Sequence, residues 1–591
     1  MVEYGSGNLG IIDVAVIASC LAVSAAIGVY YRFSGGKQKT AEEYLLGGKE
    51  QKIVPVALSL MTSMMSSIAL LGLSSEVYLH GIQFVVINIG YVIAAPIVAY
   101  FFLPVYFKLQ ATSIFEYLEK RFGLKTRFMA SLIYFMQTVL YMGVVLYAPA
   151  LTLEAITGLS ADWAILATGL ICTFYSTIGG IKAVIVTDVF QMILMFMALF
   201  TVIFTSVFDV GGFSQIISIA AENERLNFFN FDPDPTVRHT FWSLVIGGGT
   251  TYLALTTTNQ TQVQRFMTLQ DLRMAVIALF ISVVVTSCLS LTTAFSGLAI
   301  FAYYKDCDPI VSERITRGDQ LMPLYAVDRL HRIPGMTGLF VSGIFSAGLS
   351  TISAILNSLA AITVEDYIKP GYNLWVEDAF PDEMKIRLTK GLVFVFGIVC
   401  IGMAFLAKVL GGILQASLTI FGVVGGPLLG VFSLGMFLPF ANERGAIAGT
   451  ISSLLISMWL GFSPKPPASP LPVSVENCQD IIESAVLCTV NSTCNFKPNS
   501  KPQANYFYLY RISYLWYVVI GFLLTILIGS IVSLIFKSRR KIEDLNPDLF
   551  VPPVAKYIQR RKRNKSDNIR SILSNNINGG KEKDDTETCL L

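Results

Sequence analysis

An α-helix rises 1.5 Å per residue, so about 20 mostly apolar residues cross the roughly 30 Å of bilayer hydrocarbon. Thirteen stretches of that kind recur along this chain, near 9–31, 53–78, 82–108, 128–156, 162–180, 184–208, 239–258, 274–303, 336–363, 390–409, 411–438, 445–462 and 513–537. In lipid the backbone polar groups have to be satisfied within the segment, which leaves helix as the structure for such runs. Charged residues make up 14% of the 591 and hydrophobic ones 54%, too few charges to coat several soluble domains. A net charge of +3 is too small to imply an anionic partner, and no nucleic acid is expected. The chain reads as an all-α polytopic membrane protein with about 13 transmembrane helices, and not as an enzyme. No nucleophile–base set, phosphate loop or metal cluster stands in a solvent-facing segment, and no organic cofactor is expected. The first stretch is no cleavable signal, since no basic residue precedes it and Arg32, Lys37 and Lys39 follow it.

An odd number of spans puts the termini on opposite sides. Lys108, Lys120, Arg121, Lys125, Arg127, Lys182, Arg265, Arg273 and the Lys537–Lys541 cluster share one side if the N-terminus is outside. The 304–335 connection, with Arg314 and Arg317, runs against this. The expected topology is N-terminus extracellular, C-terminus cytoplasmic. Cys478, Cys488 and Cys494 then fall in an outer loop, 463–512, where disulfides persist. With three cysteines there, one either pairs with Cys307 in the other large outer loop or stays free. Asn491 opens a glycosylation sequon in the same loop; the matches at Asn259 and Asn564 lie at a membrane edge and in the tail. The tail beyond 540 carries "QRRKRNK" and is most simply a solvated charged segment, with anionic lipid as the alternative partner.

Polar side chains inside a membrane usually mark a pathway. Thr62, Ser63, Ser66 and Ser67 crowd the middle of the second stretch, and Gly247, Gly248 and Gly249 precede a run of hydroxyls in the seventh. In the ninth, Ala347, Ser350, Thr351, Ala354 and Ser358 recur at helical spacing and form one small, hydroxyl-rich face. Close helix packing explains such a face as readily as function does. Interrupted helices five spans apart, however, also point to a transporter site. One leading helix, two five-helix repeats and two trailing helices make thirteen. Uncharged oxygens suit a weakly held monovalent cation, so sodium is the expected ion. The single titratable group at depth is Asp188, for which a salt bridge with Lys182 is the structural alternative.

The strings "GGIKAVIVTDVFQ" (179–191), "TNQTQVQRF" (258–266), "STISAILNSLAAITVEDYIKP" (350–370) and "VVGGPLLGVFSLGMF" (423–437) resemble the sodium/solute symporter family over roughly 10–540. Within it, the second and third are most similar to the monocarboxylate, multivitamin and iodide branch. The resemblance implies an inverted five-helix repeat (about 53–208 and 239–438) in a 1–540 transmembrane domain with a 541–591 cytoplasmic tail. It implies a sodium site of carbonyls at Thr62, Met65 and Ala347 and hydroxyls at Ser350 and Thr351, with Asp188 on the sodium release path. "SMMSSIAL" stands where the sugar branch has its pocket string, which disfavours a sugar. The chain ends Thr588-Cys589-Leu590-Leu591, which fits neither a scaffold motif nor a prenylation box.

The expected function is sodium-coupled import of a small monocarboxylate across the plasma membrane. Multivitamin or iodide-like transport, and a non-concentrative sensor or sodium leak, are the alternatives. Substrate contacts are expected from Ser66, Tyr91, Tyr252, Thr256, Thr257, Gln415 and Ser417, because no Lys or Arg lies at mid-depth in these spans. One sodium with one anion moves no net charge and forfeits about 2.3 kcal/mol per 100 mV, so at least two sodium ions per anion are expected.

Overall fold

The computed structural model describes residues 10–34, 40–157, 160–376, 380–407, 413–466, 470–475, 478, 506–537 and 542–567. The regular structure among them is helical. The main helices are α1 (Ile11–Phe33), α2 (Ile53–Met64), α3 (Ser67–His80), α4 (Ile82–Leu109), α5 (Leu124–Thr157), α6 (Ala161–Val210) and α7 (Gly248–Thr257). They continue with α8 (Gln260–Phe266), α9 (Leu272–Tyr304), α10 (Met336–Ile362), α11 (Asp382–Ala407), α12 (Ile413–Phe437), α13 (Glu443–Gly461), α14 (Trp516–Ile535) and α15 (552–567).

Each of the thirteen apolar stretches falls on helix. Among the described residues nine helices are long and apolar enough to cross a bilayer, or ten if α2 and α3 count as one bent span. The shortfall has identifiable causes. At 1.5 Å per residue the 50-residue α6 would span about 75 Å, about two and a half times the bilayer hydrocarbon. It turns at Gly180, whose backbone is left-handed in φ (62°) and non-helical in ψ (−171°), so α6 holds two of the stretches. A Cβ there would come within 2.9 Å of the Tyr44 ring, so glycine is required on both counts. α7 is short, and α13 is rich in Ser, Thr and Gly.

Among the described residues, two further interruptions fall in or beside the polar stretches that the sequence singled out. α2 and α3 meet at 61° across Met65 and Ser66, which have extended backbone. Hydroxyls loosen the turn before the break: Thr62 Oγ1 and Ser63 Oγ both donate to Ser59 O at 3.0 Å, competing for carbonyls of the ladder. The second interruption lies at Thr258–Asn259, between α7 and α8, and not at the glycine run the sequence suggested. Those glycines serve packing instead. Gly90 and Gly249 bring α4 and α7 into backbone contact, and a Cβ on Gly90 would lie 2.6 Å from Val245 O.

α10 is the centre of the bundle, 94% buried over its apolar window, against 17% for α1 and 28% for α14. Its small-residue face therefore packs against protein on every side, while α1 and α14 are left to lipid.

One end of the bundle carries His80, Tyr304 and the start of α10. There Cys307 is disulfide-bonded to Cys478, one of the pairings that the sequence left open. Cys488, Cys494 and Asn491 lie outside the described residues. The segment before Cys478 is strapped across this end: Leu471 N donates to Leu79 O (2.8 Å), Asp308 N to Ser474 O (3.0 Å) and Arg225 Nη2 to Pro472 O (3.1 Å). Arg225 is fully buried, 3.5 Å above the Phe301 ring. Burial lowers its pKa to about 10 against the opposing pull of Tyr78 and Asp308, which still leaves it cationic at neutral pH.

At the opposite end the tail is not simply solvated. Leu549, Phe550, Val551, Ala555 and Ile558 are buried against the bundle. Val551 N donates to Met436 O (3.2 Å) and Tyr117 Oη to Leu549 O (3.1 Å).

Candidate functional site

The break between α2 and α3 ends the i→i−4 ladder, which frees carbonyls in the last turn of α2. That turn faces α10. Ser350 Oγ lies 3.3 Å from Thr62 O and 3.2 Å from Ala347 O, and Thr351 Oγ1 lies 3.1 Å from Ala347 O. Thr62, Ala347, Ser350 and Thr351 are all at most 2% exposed. Four oxygens here share two hydroxyl protons, an excess of acceptors that a monovalent cation could satisfy. Met65 sits at the break itself and lines the adjoining cavity.

That cavity, of about 120 Å³, is lined by Met65, Ser66, Tyr91, Tyr141, Thr251 and Ser290 among others, and none of its lining side chains is charged. Ser66 and Tyr91, two of the expected substrate contacts, thus line this cavity. Tyr252 packs against Tyr91 with the rings tilted by 31° at 5.1 Å between centroids, and is buried. Thr257 is turned away: its hydroxyl donates to Leu253 O, and its carbonyl receives Tyr106 Oη at 2.6 Å. Thr256 is buried with an unpartnered hydroxyl and is not among the lining residues. The side chains of Gln415 and Ser417 lie outside the described residues.

Tyr141 was missed by the sequence reading. Its hydroxyl donates to Ser66 Oγ (3.1 Å) and its ring meets Phe421 edge-on at 4.5 Å. Tyr141, Met64, Leu255 and Phe421 line both this cavity and a smaller one of about 40 Å³ toward the tail end, so they form the partition between the two. The smaller cavity holds Ser63, Tyr134, Asn259, Thr261, Gln262 and Thr351. Thr351 therefore belongs both to the oxygen cluster and to the lining of this smaller cavity.

"TNQTQVQRF" is a set of clamps. Asn259 caps α8 through Thr261 N (2.9 Å) and accepts from Tyr134 Oη (2.7 Å), which places this sequon inside the bundle. Gln260 bonds Ile114 N and Thr112 O, Gln262 bonds Ser63 Oγ, and Gln264 bonds Leu45 O. Arg265 reaches Asp188 Oδ2 (2.9 Å) and Ser59 Oγ (2.6 Å), and Ser59 Oγ in turn donates to Asp188 at 2.5 Å. Lys182, the partner weighed for Asp188, pairs with Glu43 instead. Arg265 is 1% exposed and is thus no loop cation. Asp188 Oδ1 and both polar atoms of Gln191, one turn further along α6, are buried without partners.

Ser358, two turns beyond Thr351, is no inert packing residue: Thr261 Oγ1 lies 3.1 Å and Tyr134 Oη 3.4 Å from its hydroxyl. In "TVEDYIKP", Asp366 accepts from Arg127 Nε (2.9 Å) and Ser113 Oγ (2.9 Å), and Glu365 pairs with Lys369 (3.2 Å) and Lys385. That string anchors the end of the α10 span to its neighbours.

Known proteins resemble the chain over nearly its whole length. It is 48% identical over 570 residues to a Drosophila melanogaster protein named as a sodium-dependent multivitamin transporter, covering 94% of this chain and 93% of that one. It is 41% identical to the Homo sapiens sodium-coupled monocarboxylate transporter 1 (92% and 90%) and 39% to the Homo sapiens sodium/iodide cotransporter (89% and 84%). The fold superposes on a substrate-bound, outward-open Na+-coupled sialic acid symporter with a TM-score of 0.71 at 25% identity, covering 90% of this chain and 100% of that one. Residues 44–453 match the Sodium:solute symporter family, and the chain belongs to that family of sodium-coupled solute transporters.

Proposed function

We propose that the protein imports a small organic monocarboxylate with sodium across the plasma membrane by alternating access. The observation that carries this reading is the oxygen cluster between the broken helix and α10. In it, sodium is held by the carbonyls of Thr62, Met65 and Ala347 and the hydroxyls of Ser350 and Thr351, and leaves past Asp188. The uncharged cavity beside it, with hydroxyls at Ser66, Tyr91, Tyr141, Thr251 and Ser290, supports a small anion held by hydroxyls, freed backbone N–H groups and the sodium itself.

Thirteen spans, with two inverted repeats at about 53–208 and 239–438 in a 1–540 transmembrane domain, are supported by two interrupted helices five spans apart. The N-terminus lies outside and the 541–591 tail inside, which places the disulfide end and the 463–512 loop in the extracellular medium.

Uptake of lactate, butyrate, nicotinate, biotin, pantothenate, iodide and glucose, with sodium or with choline, tests the assignment. Uptake of the short monocarboxylates is expected to collapse in choline. Undiminished uptake there sinks the coupling, and glucose transport without anion transport sinks the substrate class. A multivitamin reading is favoured by the 48% identity to the Drosophila relative. Biotin and pantothenate uptake exceeding that of lactate and butyrate would select it.

For the topology, Asn491→Gln is expected to raise gel mobility as much as enzymatic deglycosylation does. A C-terminal epitope is expected to stain only after permeabilisation. Staining of intact cells reverses the orientation.

A further inference from the structure

The tail helix α15 has two unlike halves. Its start is docked through Val551, Ala555 and Ile558, which are buried, and through the Phe550 ring beneath the Arg121 guanidinium at 4.9 Å. Beyond Ile558 the helix carries Arg560, Arg561, Lys562, Arg563 and Lys565, all exposed except the half-buried Lys562. Sixteen residues make a rod of about 24 Å.

Contacts at both ends fix how that rod lies. Its start is held at Met436, the last turn of α12, and Asp548 just before it pairs with Lys108 at the end of α4 (3.2 Å). Its far half returns to the chain just after α14, where Arg561 lies 3.8 Å from Glu543 and Lys565 3.9 Å from Asp544. A helix pointing away from the bundle could not touch both places. α15 therefore lies back along the 542–550 segment, whose Ile542 and Leu545 pack on the bundle and share a cavity lining with the end of α14. Two acidic side chains at the edge of hydrogen-bonding range do not neutralise five cations. A cavity of about 750 Å³ between the tail and α13–α14 is lined by three cations, Arg121, Arg444 and Lys537, against one carboxylate, Glu443.

We infer that the basic half of α15, with Arg444 and Lys537 beside it, is a docking surface for the anionic phospholipid headgroups of the bilayer that holds the protein. It rests on the cytoplasmic placement of the tail, because the cytoplasmic leaflet carries the anionic lipids and attracts juxtamembrane basic segments. Exposed Tyr557, 5.4 Å beneath Arg561, adds an amphipathic ring of the kind that sits at headgroup level.

The full-length chain in nanodiscs of phosphatidylcholine, with or without phosphatidylserine, tests this by hydrogen exchange of 556–567. Phosphatidylserine is expected to slow exchange there about tenfold at low salt, and the protection is expected to vanish at high salt. Replacing the five basic residues by Gln is expected to abolish the lipid response, and replacing the three arginines by Lys to keep it. Equal exchange in both lipid compositions overturns the proposal, whether the helix is protected in both or in neither. So does a lipid response that survives the Gln substitutions. Transport is not measured, so the result stands apart from the substrate assignment.

Discussion

Ser350→Ala and Thr351→Ala are each expected to raise the sodium concentration for half-maximal uptake about tenfold or more, with surface expression near wild type. Each removes one of the two hydroxyls from a cluster whose other oxygens are the second hydroxyl and backbone carbonyls fixed by α10 and the end of α2. A hydrogen bond to a charged group contributes about 1.5–3 kcal/mol, and a ligand oxygen is taken to act on that scale. Every 1.4 kcal/mol is about a tenfold change in affinity. If the hydroxyls only pack, their loss costs about 0.6 kcal/mol, the average for interhelical contacts of this kind, and sodium dependence stays unchanged.

The reference substitution has to come from the same helix. Ser358→Ala does not serve, because Thr261 and Tyr134 depend on that hydroxyl. Ser342→Ala does: its hydroxyl bonds only back to Gly338 O (2.7 Å), two turns nearer the disulfide end. Wild-type sodium dependence in both ligand variants at normal surface expression removes the site and leaves the family membership standing.

The α10 face was legible because a helix writes its faces into sequence at i, i+3 and i+4, and small hydroxyl residues at that spacing stand out against Leu and Ile. The break at Met65–Ser66 was legible as a density of hydroxyls. Glycine misled in the seventh span. Three glycines suggest a break, but a glycine that lets two backbones touch has the same letter, and the partner at Gly90 lies more than a hundred residues away in sequence. Sequence distance also hid Arg265. It counted as a cation at a span end, yet its partners Ser59 and Asp188 lie on two other helices. Thr256 and Thr257 show the limit of reading hydroxyls as contacts. In a helix one face meets the cavity, and nothing local says which. The tail's apolar set Leu549, Phe550, Val551 and Ile558 was a docking signal in plain view, outweighed by the basic run that follows it.

Arg265→Met is expected to be the most damaging of the substitutions considered. It leaves the Asp188 carboxylate, 0% exposed, facing only the Ser59 hydroxyl deep in the bundle. Removing one partner of a buried ion pair costs about 3–5 kcal/mol, because the remaining charge is uncompensated. Little protein should reach the surface, and the thermal midpoint of the purified chain in detergent should fall sharply. Asp188→Asn is expected to be milder: the amide still offers an oxygen, and Arg265 keeps Thr261 O (2.9 Å) and Ser59 Oγ. Combining the two removes both charges and should recover most of the stability lost in Arg265→Met alone. Lys182→Met breaks only a partly exposed pair with Glu43 and should cost no more than about 1 kcal/mol. A stable Arg265→Met variant means that the fold does not depend on the buried pair. The double variant then separates two roles for Asp188 in the folded protein. If the carboxylate only anchors Arg265, sodium dependence and turnover both return with stability. If sodium leaves past it, the sodium concentration for half-maximal uptake stays near wild type while turnover remains low, because the ion now crosses that stretch without a negative charge to receive it.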